Sequence, residues 1–158
     1  MTQSVLQRLA TLGIELPAPV RPLGSYRSVS IVGDLAHVSG LGPFEQGKPV
    51  VGQVGSEISP EHARQAARLT MEMILACLHE ACGLDRVLRC VRLTVYVRAD
   101  ASFTAHPLVA NGASDLLREL FGEDALPARS ALGVHTLPMG IPVEIDSIFE
   151  LAPADEVR

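Results

Sequence analysis

The sequence predicts one mixed α+β domain in which two helices cover one face of a single sheet, and three observations carry that expectation. A chain of 158 residues suits one domain. Two stretches with apolar residues at helical spacing, 60–82 and 108–121, each stop at a glycine, Gly83 and Gly122. Around them lie segments that alternate apolar and polar residues as half-buried strands do, 87–97 and 143–151 most clearly. Helices and strands interleave too evenly for two domains.

The elements follow in order. Residues 4–12 set Val5, Leu6, Leu9, Ala10 and Leu12 along a short amphipathic helix that ends at Gly13. Pro17, Pro19 and Pro22 make the next stretch an extended connector, since it can be neither helix nor central strand. Residues 29–32 and 35–39 read as a hairpin about Gly33-Asp34. A loop punctuated by Gly42, Pro43, Gly47 and Pro49 leads to an extended piece near Val50-Val51. At Ser59-Pro60-Glu61 the hydroxyl can cap free N–H groups, Pro tolerates the first helical position and Glu suits the positive helix end. The helix it opens has Ala63, Ala66, Ala67, Thr70, Ile74, Cys77, Leu78 and Ala81 on its apolar face, with enough alanine to lie close against a sheet. In 87–97, Val91, Leu93, Val95 and Val97 are expected on one side and Arg92, Thr94, Tyr96 and Arg98 on the other. The last two strands, 130–137 and 143–151, are expected to pair as a hairpin about Pro138-Met139-Gly140. Along the second, Val143, Ile145, Ser147, Phe149 and Leu151 share one face and Glu144, Asp146 and Glu150 the other.

Composition narrows the function. The chain is 47% hydrophobic with 4% aromatic residues and no Trp, so its core is aliphatic, and the surplus apolar surface suits contacts between subunits. Net charge is −5, and Lys48 is the single lysine; without a basic stripe, nucleic-acid binding is disfavoured. No secretory leader and no long apolar run is present, which makes a soluble cytoplasmic protein without a membrane partner the default expectation. Cys77, Cys82 and Cys90 read as small buried hydrophobes, and the five histidines are too scattered for a metal set. No phosphate loop or nucleophile elbow occurs.

What remains is Arg129, entering a strand, with Glu144 in the strand after it; in a hairpin the two would lie close at one end. An arginine there offers a rigid fork of donors for a carboxylate. From pattern alone a structural Arg–Glu pair is favoured, because ion pairs outnumber catalytic ones.

The surrounding residues shift that balance. Pro127-Ala128-Arg129-Ser130-Ala131-Leu132, then Leu137-Pro138, then Val143-Glu144-Ile145, closely resembles the C-terminal signature of the YjgF/RidA family of enamine/imine deaminases, some of which carry the label L-PSP endoribonuclease. In the same order, Gly24-Ser25-Tyr26 is similar to the family's Gly-Pro-Tyr segment, Val38-Ser39-Gly40 to its Ser-Gly strand end and Asn111 to its helix Asn. The resemblance covers residues 22–152; it leaves 1–21 as an N-terminal helix and Pro-rich connector and 153–158 as a tail.

The resemblance implies a chorismate-mutase-like α+β subunit, assembled as a homotrimer with three clefts between neighbours. Its members hydrolyse reactive 2-enamino or 2-imino acids to 2-keto acids and ammonia without metal or cofactor. Arg129 would then clamp the substrate carboxylate, and Glu144 would orient a water or relay a proton. Tyr26 would cover the substrate, the backbone near Ser39-Gly40 and Ala131 would supply donors, and Asn111 would support the cleft. Ala131 stands where many members have Cys, His135 where the signature prefers a small or basic residue, residues 104–110 are longer and the N-terminal helix is additional. A non-catalytic cleft that binds small keto acids, as sensor or regulator, is therefore the alternative, and ribonuclease the third reading.

Overall fold

The structure, a computed structural model, describes residues 3–154. Most of the expected C-terminal tail lies outside them. Three helices, α1 (Val5–Thr11), α2 (Pro60–Cys82) and α3 (His106–Phe121), accompany seven strands: β1 (Val29–Val32), β2 (Leu35–Leu41), β3 (Phe44–Glu45), β4 (Lys48–Pro49), β5 (Val87–Arg98), β6 (Ala128–Val134) and β7 (Val143–Leu151). Five strands make one mixed sheet in the order β1-β2-β7-β5-β6. The expected α+β architecture is observed, with α2 and α3 on one face and the short α1 in addition.

The helix ends follow from their residues. The Ser59 hydroxyl accepts from the His62 N–H at 3.1 Å with Pro60 at the first position, and Gly83 closes α2 at φ 78°. In α1, Ser4 and Gln7 cap each other's backbone N–H, and Leu9 is buried. Arg8 then ties α1 to the end of α3 by donating to the Leu120 carbonyl. Ala81, expected on the apolar face of α2, is exposed instead. Met71, Met73 and Leu75 are buried beyond that expected face, because α2 packs against α3 as well as the sheet.

Where α3 crosses α2 there is room only for glycine. A Cβ on Gly112 would overlap the Arg64 carbonyl oxygen and stand 3.2 Å from the Ala67 methyl. Gly112→Ala is expected to destabilise the fold by about 2–3 kcal/mol despite its better helix propensity. The midpoint of urea unfolding measures this; an unchanged midpoint would mean that the helices can part at little cost.

Three sequence expectations are corrected. Residues 42–49 are not simply loop: β3 and β4 form a small hairpin about Gln46-Gly47, both at positive φ (51° and 76°), as a tight reversal requires. Val91 does not share a face with Leu93. Pairing of β5 with β7 skips it between Cys90 and Arg92, so this bulge residue is exposed while Cys90 turns inward. Above all, β6 and β7 are not a hairpin. β5, α3 and β6 form a parallel β-α-β unit, and β7 runs antiparallel between β5 and β2. β6 ends at Val134 and lies on the sheet edge.

Candidate functional site

Arg129 and Glu144 are separated by this topology. Arg129 aligns with Leu93 on β5, which aligns with Ser147 on β7; Glu144 aligns with Tyr96, which aligns with Leu132 on β6. The two are thus two strands apart and three residues offset, about 10 Å each way. The odd offset also puts their side chains on opposite faces of the sheet. Leu93 and Ser147 are buried under the helices. Arg129 reaches α3 on that same side, whereas Glu144 alternates out of phase with the buried Val143 and Ile145. The structural ion pair considered from sequence does not form.

Around Arg129 the partners are neutral. Its Nη1 donates to Asn111 Oδ1 at 2.8 Å and to Ser114 Oγ at 3.0 Å, two residues one helical turn apart on α3. Among the described residues no ion pair includes Arg129, whereas Arg21, Arg64, Arg68, Arg89, Arg98 and Arg118 all have acidic partners. The guanidinium is therefore oriented through one nitrogen, with its charge uncompensated and the Nε–Nη2 edge unused. That edge can take a carboxylate in two parallel hydrogen bonds. The Ala131 side chain packs against the core on the same face. β6 is an edge strand, so part of its backbone hydrogen-bonding capacity faces outward.

Glu144 belongs to a second cluster. β2 bulges at Ser39-Gly40, which together lie opposite the stretch between Ile145 and Ser147. At Gly40 the chain comes so close to β7 that a Cβ would overlap the Glu144 carboxylate. The Ser39 hydroxyl donates to the Arg27 carbonyl at 2.6 Å, and its N–H donates to Ser28, which fastens the Tyr26 loop to β2. The half-exposed Tyr26 borders a cavity of about 320 Å³ that also reaches Gly40, Leu41, Phe44 and Met139. Burial pushes the Glu144 carboxyl above its usual 4.5, and the negative charge of Asp146, two residues along the same face, adds to the rise. Tyr96, opposite Glu144 on β5, is raised in turn by its hydrogen bond to Asp146.

Of the residues singled out from sequence, the structure thus brings together Arg129, Asn111 and Ala131 in one group and Tyr26, Ser39, Gly40 and Glu144 in another. Sequence reasoning missed Ser114, although its spacing of three from Asn111 on a helix is a readable signal. It also placed Asp146 on the Glu144 face without giving it a role. Among the described residues no three His, Cys, Asp or Glu side chains are grouped as a metal ion would require, and no helix is long and apolar enough to cross a membrane.

The model of the YjgF/chorismate-mutase-like family, a family of candidate endoribonucleases, matches residues 6–145. Protein TCP17 of Trypanosoma cruzi is 41% identical over 150 residues, covering 93% of this chain and 94% of its own. The structure of Atu1372 from Agrobacterium tumefaciens matches with a TM-score of 0.86 at 36% identity, over 94% of this chain and 92% of that one. An endoribonuclease candidate from Shewanella oneidensis matches with a TM-score of 0.90 at 34% identity, over 94% and 100%.

Proposed function

Since the chain belongs to the YjgF/chorismate-mutase-like family, we propose that it hydrolyses reactive 2-enamino and 2-imino acids to 2-keto acids and ammonia in clefts between the subunits of a homotrimer. The observation that carries this reading is Arg129, which is positioned by Asn111 and Ser114 with no acid among the described residues to neutralise it. Glu144 faces the other side of the sheet, so a substrate touched by both needs Arg129 from one subunit and Glu144 from the next.

In such a cleft the Nε–Nη2 edge of Arg129 holds the substrate carboxylate and fixes the adjacent imine carbon. Glu144 accepts a proton from a water as the water's oxygen bonds to that carbon, and the imine nitrogen takes up a proton. The resulting carbinolamine collapses: Glu144 returns its proton to the nitrogen, the C–N bond breaks to release ammonia, and the C=O forms as the hydroxyl gives its proton to water, balancing the one the imine nitrogen took up. An enamine first gains a proton at carbon to become the imine. Tyr26 covers the small substrate. Asn111 and Ser114 act on Arg129 as positioning residues.

Purified protein added to a dehydratase releasing 2-aminoacrylate should speed pyruvate formation well above the rate in buffer; no acceleration would sink the proposal. Retained keto-acid binding without acceleration would select the sensor reading, which Ala131 at the usual Cys position favours. The chain's charge of −5 and its lack of a basic stripe give RNA as substrate no support.

Glu144 must be ionised to accept a proton, so the acid limb of kcat/KM should lie above the usual carboxylate value of 4.5. The charge that adds to burial at Glu144 is that of Asp146 beside it; both carboxylates in turn raise Tyr96 across from them, where Arg92 acts in the opposite sense. Asp146→Asn removes the repulsion and should move the limb to lower pH. The move should be partial, because burial is the larger cause. A pH–rate profile of both proteins checks the direction; an upward move would contradict it.

A further inference from the structure

Two departures from the family signature, the longer stretch 104–110 and His135, meet at one place. His106 from the first and His135 itself line a cavity of about 440 Å³, together with Gln53, Asp100, Phe103 and Gly133. It lies at the carboxyl ends of the parallel strands β5 and β6, and neither Arg129 nor Glu144 borders it.

His106 opens α3, and its ring lies across the backbone of β6 at Gly133. A Cβ on Gly133 would stand 2.5 Å from the ring's Nε2 and 3.2 Å from its Cε1. Phe103 meets the same ring edge-to-face, with centroids 5.2 Å apart and planes at 80°. The loop that carries Phe103 is itself fastened. The Phe103 N–H donates to the Asp100 carbonyl at 3.1 Å, the Asp100 N–H to Val54 at 3.0 Å and the Gln53 side-chain amide to Ala99 at 3.2 Å. His106 is thus a wedge between a fixed loop and an edge strand.

The same two elements hold Arg129 further down. Arg129, Ala131 and Gly133 lie in register with the buried Leu93, Val95 and Val97 of β5, on the helix-facing side of the sheet. α3 runs back against β6, so its start lies over the strand's end and its middle over the strand's beginning. Gly133 is four residues from Arg129, about 13 Å along a strand; His106 is five from Asn111 and eight from Ser114, about 8–12 Å along a helix. Helix and strand are therefore joined at two levels, by His106 on Gly133 and by the Arg129 hydrogen bonds to Asn111 and Ser114. β6 has a strand on one side only, so its contacts with α3 carry more of its placement.

We infer that His106 is a positioning residue: it sets where α3 sits along β6, and so the direction in which the Nε–Nη2 edge of Arg129 points. Its effect on binding rests on Arg129 as the carboxylate anchor, but the aim of the guanidinium can be read without a ligand.

Gly133→Ala tests this while leaving His106 in place. The backbone at 133 is outside the left-handed region, so alanine fits the strand. What it meets is the tip of a rotatable side chain, and the ring has the cavity beside it to swing into. Gly133→Ala and His106→Ala should then produce one phenotype by two routes. In nitrogen NMR spectra of the arginine side chains, the Arg129 Nε–H signal, assigned by its loss in Arg129→Lys, should shift in both variants. Calorimetric affinity for 2-oxobutanoate should fall about fivefold in each, a small part of the ~10²-fold that a 1 Å misplacement can cost. The double variant should lose no more than either single one, because the same contact is already gone. An Arg129 signal unmoved in either variant, undiminished affinity, or a double variant whose loss is the product of the two would overturn the inference. If the native protein binds no keto acid, Arg129 is not the carboxylate anchor, and the Nε–H signal alone decides the role of His106.

Discussion

Arg129→Ala is expected to lower kcat/KM for 2-iminopropanoate by about 10²–10³-fold, or about 3–4 kcal/mol. The magnitude follows from the loss of two charge-assisted hydrogen bonds to a carboxylate, each of about 1.5–3 kcal/mol, partly offset by water entering in their place. KM should carry much of the loss, since a carboxylate clamp acts on bound substrate before any bond changes; kcat should also fall, because the clamp fixes the reacting carbon. Arg129→Lys is expected to recover only a small part, as a single ammonium cannot reproduce the parallel pair of bonds or the hydrogen bonds to both Asn111 and Ser114. Asn111→Ala should produce a milder defect of the same kind, because Ser114 still holds the same nitrogen. Steady-state kinetics on the three variants, with keto-acid affinity measured in parallel, tests the set. Wild-type rates in Arg129→Ala would remove Arg129 from the site and the deaminase reading with it.

The amount of this arrangement legible in the sequence depended on how local each interaction is. Helix α2 was readable almost to the residue because Ser59, Pro60 and Gly83 act within one turn of the ends they define. The faces of β7 were readable because alternation is a property of the strand itself, and Val143, Ile145, Ser147, Phe149 and Leu151 are all buried. Val91 was misplaced because a bulge belongs to a pair of strands, and nothing in the alternation of 87–97 announces it. Adjacency of strands was the least legible feature. Nearness in sequence suggested a β6–β7 hairpin, yet a strand followed by a helix and another strand commonly pairs in parallel, as β5, α3 and β6 do. That leaves β7 to find its place between β2 and β5, a long-range contact no local pattern encodes. For the site, residue identities could be read from the motif, but the separation of Arg129 from Glu144 could not, since it is a consequence of that strand order.

From the separation comes the largest expected effect, a recovery of activity on mixing two inactive proteins. Arg129→Ala and Glu144→Gln should each be nearly inactive as pure oligomers, the first for want of the carboxylate clamp and the second for want of the proton acceptor. If each cleft takes Arg129 from one subunit and Glu144 from its neighbour around a closed ring, a cleft between a Glu144→Gln subunit supplying Arg129 and an Arg129→Ala subunit supplying Glu144 contains both native groups. Random reassembly of equal amounts makes about a quarter of all clefts of this kind, so about a quarter of wild-type activity should return. The recovery should need subunit exchange, appearing after co-expression or after denaturation and refolding together, and not on brief mixing of preformed oligomers. A site contained within one subunit predicts no recovery under either condition, because every subunit then lacks one of the two groups. The sheet geometry favours recovery: β5 lies between the strands that carry the two residues, and the strand register turns their side chains to opposite faces.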